Sequence, residues 1–480
     1  MIGAAGALDA AEFRRRRRAI SDAVGRPVVL LGHRDVPRNL PGYGYPFRQS
    51  SDFLYLTGCS EPGAAAILDD GALTLYLPTP GPGDALWHGE TPDLQTRAAA
   101  SHADAVYDIE ALEAQVMAHL GNGSIATVAS ADARGNETLA WWSGRPLAFG
   151  SEPGDADLVE ALCALRRRKS ATEVAAMRHA AAISTEAHLA VAGATAAGVS
   201  ERSLAALLEA VFARHGAEPG YGSILTRRGE ILHCHDHRGV LRDGDLLLVD
   251  AGAELGPDHG NVAGYGADLT RTWPVSGRFD ARQRAVYEVV LAAWQAALDR
   301  CRVGVRYREV HDAAAAVIAR FLIDEGVLRA GVDEAVDRGL HGLFFPHGVG
   351  HLIGLDVHDL EAYGDRGAYP PDRGRAEIFG TRFLRLDLPL ESGFVVTVEP
   401  GFYAVPAILA DPELRERFGA AVDWTRAESY LGFGGIRIED DVLVTDAGPD
   451  VLSAGLPRDV DGVEAAVGAT VDLAGALGLR

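Results

Sequence analysis

The sequence predicts two domains, an α/β domain followed by a larger α+β domain. At 480 residues the chain is long for a single hydrophobic core. In the first third, short apolar runs alternate with helical patterns, which is typical of α/β folds. In the remainder, a group of long helical patterns followed by strand patterns occurs twice. We therefore expect one domain at residues 1–168 and a second at 169–480, the second built from two related halves.

The first domain is predicted from its apolar runs. They lie at residues 28–31, 53–56, 64–68, 73–77 and 125–128, with a helical stretch at 108–120. Residues 14–18 are five consecutive arginines, which would suit a targeting signal or a patch for anionic lipids. Because a helical pattern surrounds them, a solvated helix face is the favoured interpretation.

The second domain is predicted from a repeated order of elements. Helices at 172–194 and 201–215 precede strands at 246–251 and 268–275; helices at 282–300 and 310–325 precede strands at 395–398 and 436–445. A sheet built from both halves and backed by these helices would gather polar residues in one cleft.

Charge and composition exclude several classes of function. The net charge of -22 would repel a phosphate backbone, so nucleic-acid binding is not expected. The four cysteines form no C-x-x-C pair, which argues against a zinc ribbon or a disulfide framework. No 18 apolar residues run together and no secretory signal pattern opens the chain. We expect a cytoplasmic protein without a membrane role.

Residues 346–359 hold three histidines, His347, His351 and His358, among three glycines. Helical spacing would place the histidines on one face, but the glycines weaken a helix. A turn or short strand whose backbone lies close to a ligand fits better. We interpret this segment as the floor of an active site.

Four carboxylates lie at or beside apolar strand patterns: Asp250, Asp268, Glu399 and Glu439. Burying a carboxylate is costly unless a positive charge offsets it, and ion pairs with arginine could supply that charge for any one of them. Four carboxylates with one imidazole instead favour two divalent cations, and oxygen-rich sites suit hard ions such as manganese. Two such ions can activate water and polarise a carbonyl, which is hydrolase chemistry.

Five motifs occur in the order found in one family of hydrolases. They are Val-Asp-Ala-Gly (249–252), Asp-Leu-Thr-Arg-Thr (268–272), His-Gly-Val-Gly-His (347–351), Val-Glu-Pro-Gly (398–401) and Gly-Ile-Arg-Ile-Glu-Asp-Asp (435–441). The chain resembles the "pita-bread" metallopeptidases, and within them the proline-specific branch of prolidase and aminopeptidase P. Residues 45–58 resemble the amino-terminal domain of that branch. The resemblance implies a pseudo-twofold pita-bread catalytic domain after an amino-terminal α/β domain.

The resemblance also implies roles for individual residues. The ligands of two metal ions would be Asp250, Asp268, His351, Glu399 and Glu439, with Asp268 and Glu439 bridging the ions. Glu399 would in addition move the proton from the attacking water to the leaving nitrogen. The remaining implied roles are oxyanion donation by His358, substrate contact near the scissile bond by His233, a pocket wall at His347, and orientation of the ligands by Tyr403 and Arg437.

The activity implied is hydrolysis of the peptide bond before proline, on dipeptides or on short peptides. Arg385, at the end of a long connection over 361–385, resembles a prolidase arginine that binds a dipeptide's carboxylate, so Xaa-Pro dipeptides are the favoured substrates. The alternatives are an aminopeptidase P acting on longer peptides and an inert peptide- or protein-binding member of the fold. Manganese is the expected metal, while cobalt, zinc or iron would also fit; a homo-oligomer, dimer or tetramer, is expected.

Two segments depart from the family pattern. Residues 233–237, His-Cys-His-Asp-His, would hold a separate transition metal if they formed a strand, but a solvated or cleft-edge cluster is the favoured interpretation. Residues 254–267 form a glycine-rich insertion between Asp250 and Asp268. It could extend over the cleft or contact a partner subunit, but a simply tolerated loop is favoured.

Overall fold

The computed structural model describes residues 6–40 and 42–469. The amino-terminal part has helices α1 (Ala10–Val24), α2 (Ser51–Thr57), α3 (Ala85–His88), α4 (Leu94–Ala98), α5 (Leu112–Asn122), α6 (Ala133–Ser143) and α7 (Ala156–Arg167). Its strands are β1 (Val28–Leu31), β2 (Pro37–Leu40), β3 (Tyr43–Gly44), β4 (Ala65–Asp69), β5 (Ala72–Leu77) and β6 (Ala105–Asp108). One sheet runs in the order β1-β4-β5-β6, with β5 and β6 parallel and the other neighbours antiparallel.

Most apolar runs of this part are strands, but one is a helix. The predicted strands at 28–31, 64–68 and 73–77 are confirmed as β1, β4 and β5. The run at 53–56 lies instead in α2, where all seven residues are buried. A fully buried helix has no alternation of polar and apolar residues, so its sequence pattern does not distinguish it from a buried strand. The run at 125–128 forms only isolated bridges, one of them pairing Ala126 with Val28.

The arginine run lies on α1, and it forms the predicted solvated face only in part: Arg14, Arg15 and Arg18 are exposed. Arg16 and Arg17 are 0% and 1% exposed, so the predicted solvated face is wrong for these two residues. Arg17 donates to the carbonyls of Leu56, Ser101 and His102. Arg16 donates to Glu12 and to the carbonyl of Tyr55, and it also lies 3.3 Å from Glu173 at the start of the next domain. Backbone carbonyls and carboxylates thus offset the cost of burying both guanidinium groups.

The second part contains the repeated order of elements that the sequence predicts. Its helices are α8 (Ala171–Ala194), α9 (Glu201–Arg214), α10 (Ala281–Arg300), α11 (Tyr307–Asp324), α12 (Val332–Asp337), α13 (Pro406–Leu409), α14 (Pro412–Phe418), α15 (Trp424–Glu428) and α16 (Val460–Ala466). Its strands are β7 (Ala217–Pro219), β8 (Ile224–Thr226), β9 (Leu246–Asp250), β10 (Ala253–Leu255), β11 (Thr270–Pro274), β12 (Val395–Val398), β13 (Gly401–Tyr403), β14 (Gly435–Arg437), β15 (Asp440–Thr445) and β16 (Gly448–Val451). None of the helices in the described ranges combines the length and apolar character that a membrane crossing requires.

The sheets of the two halves meet at their polar ends. One sheet runs β11-β9-β8 and the other β12-β15-β16, and every residue of β8, β9, β11 and β12 is buried. A bridge between Thr270 and Glu439 joins the two sheets. The sequence predicts a single strand at 436–445, but the structure has two, β14 and β15. Ile438 and Glu439 connect the two strands and belong to neither.

The histidine segment at 346–359 is an irregular strand-like stretch, as predicted, and its glycines pack against protein. The Glu399 backbone N–H donates to Val349 O at 2.8 Å, and Leu352 bridges to Val396 of β12. Gly350 has a φ of +156°, and a Cβ there would lie 2.2 Å from Thr397 O. The glycines were predicted to let the backbone approach a ligand, but each approaches protein: Gly350 approaches β12, Gly348 approaches Leu384, and Gly354 approaches Asp359.

The junction between the two parts is a helix boundary. α7 ends at Arg167 and α8 begins at Ala171, capped by a reciprocal pair of bonds between Ser170 and Glu173. The domain limits of 1–168 and 169–480 stay a prediction, and Arg168 lies in this short connection.

The insertion at 254–267 is packed between the two parts rather than free at the surface. Asn261 exchanges hydrogen bonds of 2.9 and 2.8 Å with the backbone of Leu8. Tyr265 is buried and donates to Glu173 at 2.5 Å, and Glu254 pairs with Arg48. A simply tolerated loop is therefore a wrong description, because its residues supply polar partners to both domains.

Candidate metal centre

Five side chains converge at the meeting point of the two halves. Asp250 ends β9, Asp268 lies two residues before β11, Glu399 follows β12, Glu439 precedes β15, and His351 comes from the histidine segment. Donor atoms of Asp250, Asp268 and Glu439 lie within 4.8 Å of one another, as do those of His351, Glu399 and Glu439. These are the five residues that the sequence predicts as metal ligands, and the structure places them in one cluster.

The histidine sits between two of the carboxylates. His351 Nε2 lies 3.4 Å from Asp268 Oδ2 and 3.8 Å from Glu399 Oε1. Its Nδ1 lies 3.0 Å from Leu352 O and donates to it, so Nε2 is the nitrogen that faces the carboxylates. Burial acts to lower the pKa of His351, but Asp268 and Glu399 raise it above its usual value. A cation that displaced the Nε2 proton would find a lone pair on the atom that faces the cluster, as a metal ligand requires.

Arg437 is the nearest cation to the carboxylates, and it contacts both halves. Its Nη2 donates to Asp250 Oδ2, and its Nε donates to Thr270 Oγ1 at 3.0 Å. Thr270 in turn donates to Glu439 Oε2 at 2.6 Å. These contacts support the predicted role of Arg437 in orienting the ligands. Thr270 is a further positioning residue; it lies within the motif at 268–272, but it was not identified from the sequence.

Tyr403 reaches the cluster only through its neighbours. Its hydroxyl accepts from Arg437 Nη1 at 3.1 Å and lies 2.9 Å from His347 Nε2. His347 Nδ1 lies 2.8 Å from Gly348 O and donates to it, so Nε2 accepts the Tyr403 proton. Burial lowers the pKa of His347 to about 3, which keeps this ring neutral. Arg437 and His347 line the cleft, and the buried Tyr403 connects them.

Tyr221 is a site residue that sequence reasoning missed. Its hydroxyl lies 2.5 Å from both Asp250 Oδ1 and Asp268 Oδ1. It comes from the Gly-Tyr-Gly turn at 220–222 before β8, which carries no strand or motif signal of its own. Only the folded arrangement brings this turn over the two aspartates.

Burial and mutual repulsion shift the pKa values of the four carboxylates in the cluster. Burial raises the pKa of Asp250 to about 6 and that of Glu399 to about 7, and repulsion from Asp268 adds to both shifts. Burial, with repulsion from Asp268, Glu399 and Asp250, raises the pKa of Glu439 well above its usual range. Burial acts upward on the Asp268 pKa as well, but the bond and charge of His351 outweigh it and the pKa lies below its usual value.

This donor set fits divalent cations. Four carboxylates face one guanidinium and one imidazole, so positive charges within the cluster cannot balance all four when they are ionised. Two divalent ions would neutralise them, and a set of four oxygen ligands with one imidazole suits hard or borderline metals. Ion pairs with Arg437 and His351 therefore do not account for the whole set of carboxylates.

The other predicted site residues lie along the same cleft. The His358 ring centroid is 4.5 Å from that of His351, and Arg385 Nη1 lies 2.9 Å from His358 Nδ1. Burial, with the charges of His351 and Arg385, lowers the pKa of His358 to about 4. Burial, with Arg437 and Arg385, lowers the pKa of His233, which also lines the cleft.

The histidines of 233–237 do not gather around a common point. The rings of His233 and His235 stack with centroids 6.4 Å apart, while His237 Nε2 contacts Ser223 O at 2.9 Å. The segment is a loop, not a strand. Within residues 6–40 and 42–469, no cluster of potential ligands contains any of the three, which agrees with the predicted cleft-edge cluster.

The cleft is large and extends from the carboxylates to the amino-terminal part. Its volume is about 1460 Å³, and its far walls include His33, Ser130 and Phe149. Pockets for small ligands commonly measure about 300–1,000 Å³. Space is therefore available for a peptide that reaches beyond two residues.

Comparison with known families and proteins agrees with this architecture. The profile of Metallopeptidase family M24 matches residues 175–446, and that of the aminopeptidase P N-terminal domain matches residues 13–129. The Xaa-Pro aminopeptidase of Escherichia coli (strain K12) is 30% identical over 470 residues, covering 95% of this chain and 97% of that protein. The Xaa-Pro dipeptidase of Homo sapiens is 31% identical over 462 residues, covering 92% and 88%.

Solved structures give the same result for the fold. Pseudomonas aeruginosa aminopeptidase PepP superposes with a TM-score of 0.76 at 30% identity, over 100% of both chains. Zinc-substituted E. coli aminopeptidase P in complex with product has a TM-score of 0.75 at 29% identity, over 96% of this chain and 98% of that one. The predicted fold class and family resemblance are confirmed.

Proposed function

The chain belongs to Metallopeptidase family M24, and on that premise we propose that it is a peptidase that hydrolyses the peptide bond before proline. The observation that carries this proposal is the cluster of Asp250, Asp268, His351, Glu399 and Glu439 in a cleft large enough for a peptide. Relatives named Xaa-Pro aminopeptidase and Xaa-Pro dipeptidase support the proline specificity.

The cluster would hold two divalent cations, with manganese as the proposed pair. When bound, such ions supply a water of lowered pKa and polarise the scissile carbonyl. Four carboxylates and one imidazole support a hard or borderline ion, and cobalt, iron or zinc remain alternatives for the same ligands. Measuring activity after loading the metal-free protein with each ion in turn tests the choice; higher turnover with zinc than with manganese would contradict it.

Glu399 is the proposed proton carrier of the reaction. It lies beside the other ligands, with donor atoms within 4.8 Å of those of His351 and Glu439, and a carboxylate beside the nucleophile can both accept and release a proton. It would take the proton of the attacking water and deliver it to the proline nitrogen as the bond breaks.

His358 is the proposed donor to the developing oxyanion. Arg385 Nη1 lies 2.9 Å from His358 Nδ1 and 3.3 Å from Nε2; with Nδ1 as the acceptor of the shorter contact, Nε2 carries the proton. The lowered pKa keeps the ring neutral, so it can donate without bringing a full charge beside the cations. His233 and His347 line the same cleft, and we propose that they position the residue before proline and the proline ring.

Both substrate lengths have support. The dipeptidase interpretation rests on Arg385 as a contact for the substrate carboxylate, and the human dipeptidase relative agrees with it. The aminopeptidase interpretation is supported by the match to the aminopeptidase P N-terminal domain and by the size of the cleft. We propose that the enzyme accepts both and that their ratio depends on the surroundings of Arg385.

The deciding experiment is a substrate series with a defined metal. Manganese-loaded protein should cleave Ala-Pro and Ala-Pro-Ala and leave Ala-Ala-Ala intact. Equal cleavage of Ala-Ala-Ala would contradict proline specificity. Failure to cleave any of them, together with failure to bind manganese, would favour the inert binding-module alternative. Efficient cleavage of only the longer Xaa-Pro peptide would exclude the dipeptidase interpretation.

The assembly and location of the protein are also proposals. A homo-oligomer, dimer or tetramer, is proposed, and the exposure of Leu86 and Trp87, at 80% and 79%, supports apolar contact surfaces in the amino-terminal domain. Sedimentation measurements on the purified protein test this, and a monomer at all concentrations would contradict it. A cytoplasmic location stays a prediction.

A further inference from the structure

Arg385, the proposed carboxylate contact, already binds a carboxylate of its own chain. Its Nη1 donates to Glu361 Oε1 at 2.9 Å and to Oε2 at 2.8 Å. Arg385 lines the cleft, as do Leu360 and Ala362, the chain neighbours of Glu361. The side chains of Arg385 and Glu361 are 31% and 32% exposed, so the pair lies at the edge of the cleft rather than in the protein interior. The charge of Arg385 also contributes to lowering the pKa of Glu361, against the upward effect of burial, so this carboxylate is ionised at neutral pH.

The pair lies next to the proposed reaction centre. The same Nη1 lies 2.9 Å from His358 Nδ1, and His358 Nδ1 is 3.7 Å from Glu361 Oε2. Of the contacts within the described part of the chain, the hydrogen bonds of this guanidinium all come from Nη1. A substrate carboxylate that approached Arg385 would therefore approach Glu361 as well.

We propose that Glu361 is a specificity-determining residue that disfavours Xaa-Pro dipeptides and directs the enzyme toward peptides that continue beyond proline. The inference rests on the proposed function and names its substrate class. Specificity of this kind comes from an unfavourable contact with the wrong substrate as much as from favourable contacts with the right one.

The physical basis is a competition between two carboxylates. An unpaired guanidinium in a cleft attracts a free carboxylate, because charges interact more strongly there than in bulk water. Paired with Glu361, Arg385 contributes no net charge, and a second carboxylate must either displace Glu361 or lie beside it. Proline followed by a further residue presents a neutral amide at this point and meets no such repulsion.

The surrounding cleft leaves the repulsion to Glu361 itself. Its walls carry Glu218, Glu230 and Asp411, but they also carry Arg48, Arg166 and Arg382, so acidic residues do not dominate the lining. The volume of about 1460 Å³ leaves room for the residues after proline.

The test compares three substrates with the same first two residues: Ala-Pro, Ala-Pro amide and Ala-Pro-Ala. Glu361→Gln keeps the shape and a hydrogen-bond acceptor for Arg385 but removes the charge. In manganese-loaded protein, the ratio of kcat/KM for Ala-Pro to that for Ala-Pro amide should rise about tenfold, a change that corresponds to about 1.4 kcal/mol. Circular dichroism and the melting temperature check that the variant is folded.

A matched control is Glu334→Gln, which removes the same charge from an exposed pair with Arg338 on α12. Its substrate ratio should equal that of the wild type. Arg385→Ala should lower kcat/KM for Ala-Pro far more than for the amide, because it removes the attraction and leaves the repulsion of Glu361. An equal loss on both substrates would overturn the proposal.

The results distinguish a failure of the proposed function from a failure of the proposed role of Glu361. Wild-type protein that cleaves none of the three substrates contradicts the proposed function itself. Wild-type protein that cleaves them, while Glu361→Gln leaves the ratio unchanged or lowers it, contradicts only the role of Glu361. A lowered ratio would mean that Glu361 holds Arg385 in place for the carboxylate, which is the opposite of competition.

Discussion

The carboxylate of Asp250, at the end of β9, and the guanidinium of Arg437, at the end of β14, form an ion pair that joins the two halves of the catalytic domain. Through Thr270 the same guanidinium also reaches Glu439. Asp250 and Glu439 are both proposed metal ligands. Arg437 therefore contacts one proposed ligand directly and a second one, from a different sheet, through Thr270. A substitution of this arginine should disturb the positions of both ligands.

Arg437→Lys should weaken metal binding. A lysine has one donor group and cannot contact Asp250, Thr270 and Tyr403 together. We expect the affinity for manganese to fall by about 10- to 100-fold, the usual range for partners that orient metal ligands. Calorimetric titration measures it, with the exposed Arg338→Lys as control. An unchanged affinity would show that the ligands hold their positions without this guanidinium.

His351→Ala should reduce the number of metal ions that the protein binds. The ring lies among Asp268, Glu399 and the other ligands, and it supplies the only nitrogen of the proposed set. Metal analysis after dialysis should give fewer than the two ions expected of the wild type. The comparison is His235→Ala combined with His237→Ala, which should bind as much metal as the wild type; a loss there would restore the independent histidine site.

Glu399→Ala should abolish turnover without unfolding the protein. The change removes the proposed proton carrier, and general acid–base catalysis typically contributes about 10²- to 10⁴-fold. The rate on Ala-Pro-Ala should fall at least that far, while the circular dichroism spectrum stays that of the wild type. Near-normal activity would be incompatible with a place for Glu399 beside the nucleophile.

Metal affinity should rise with pH between about 6 and 7. Asp250 and Glu399, with pKa values raised to about 6 and about 7, must lose their protons before they can bind a cation. Below pH 6 protons on these two carboxylates compete with the metal, and above pH 7 these two groups no longer hold them. Titrations in buffers of different ionisation enthalpy should show net proton release at pH 6.5. Affinity independent of pH across this range would contradict the raised pKa values.

Arg166→Met should destabilise the protein strongly. Arg166 is buried and pairs with Asp52, Asp356 and Asp359, which the substitution would leave without that cation. Losing one partner of a buried ion pair typically costs about 3–5 kcal/mol. The exposed pair of Arg168 with Glu391 gives the control, since Arg168→Met should cost no more than about 1 kcal/mol. Chemical denaturation of both variants measures the difference; similar small losses would contradict the importance of burial.

Sequence patterns predicted the parts of this fold that have a period or a motif. The strands before Asp250 and Glu399 were visible because their residues are apolar, apart from Thr397, and each run ends at a carboxylate. Helix α2 was missed because a helix buried on all sides has no polar face. Arg16 and Arg17 were misjudged because their partners are backbone carbonyls and residues of distant segments.

The same distinction holds at the site. The five proposed ligands follow from motifs that carry chemistry in their residue types. Tyr221 and Glu361 belong to segments without such motifs, and their contacts with Asp250 and Arg385 arise only when loops from different parts of the chain meet. Contacts of this kind depend on tertiary placement, which local periodicity does not encode.

The buried position of Arg16 has a consequence for how the molecule unfolds. Arg16 lies against Tyr55 and near Glu173, and Glu173 in turn accepts from Tyr265 of the catalytic domain. Separating the domains would therefore break the contact between Arg16 and Glu173 and the bonds between Asn261 and Leu8, and it would expose the insertion that carries Tyr265. We therefore expect the two domains to unfold as one cooperative unit. A chain cut near residue 168 would lose a structural support for the catalytic half as well as a wall of its cleft.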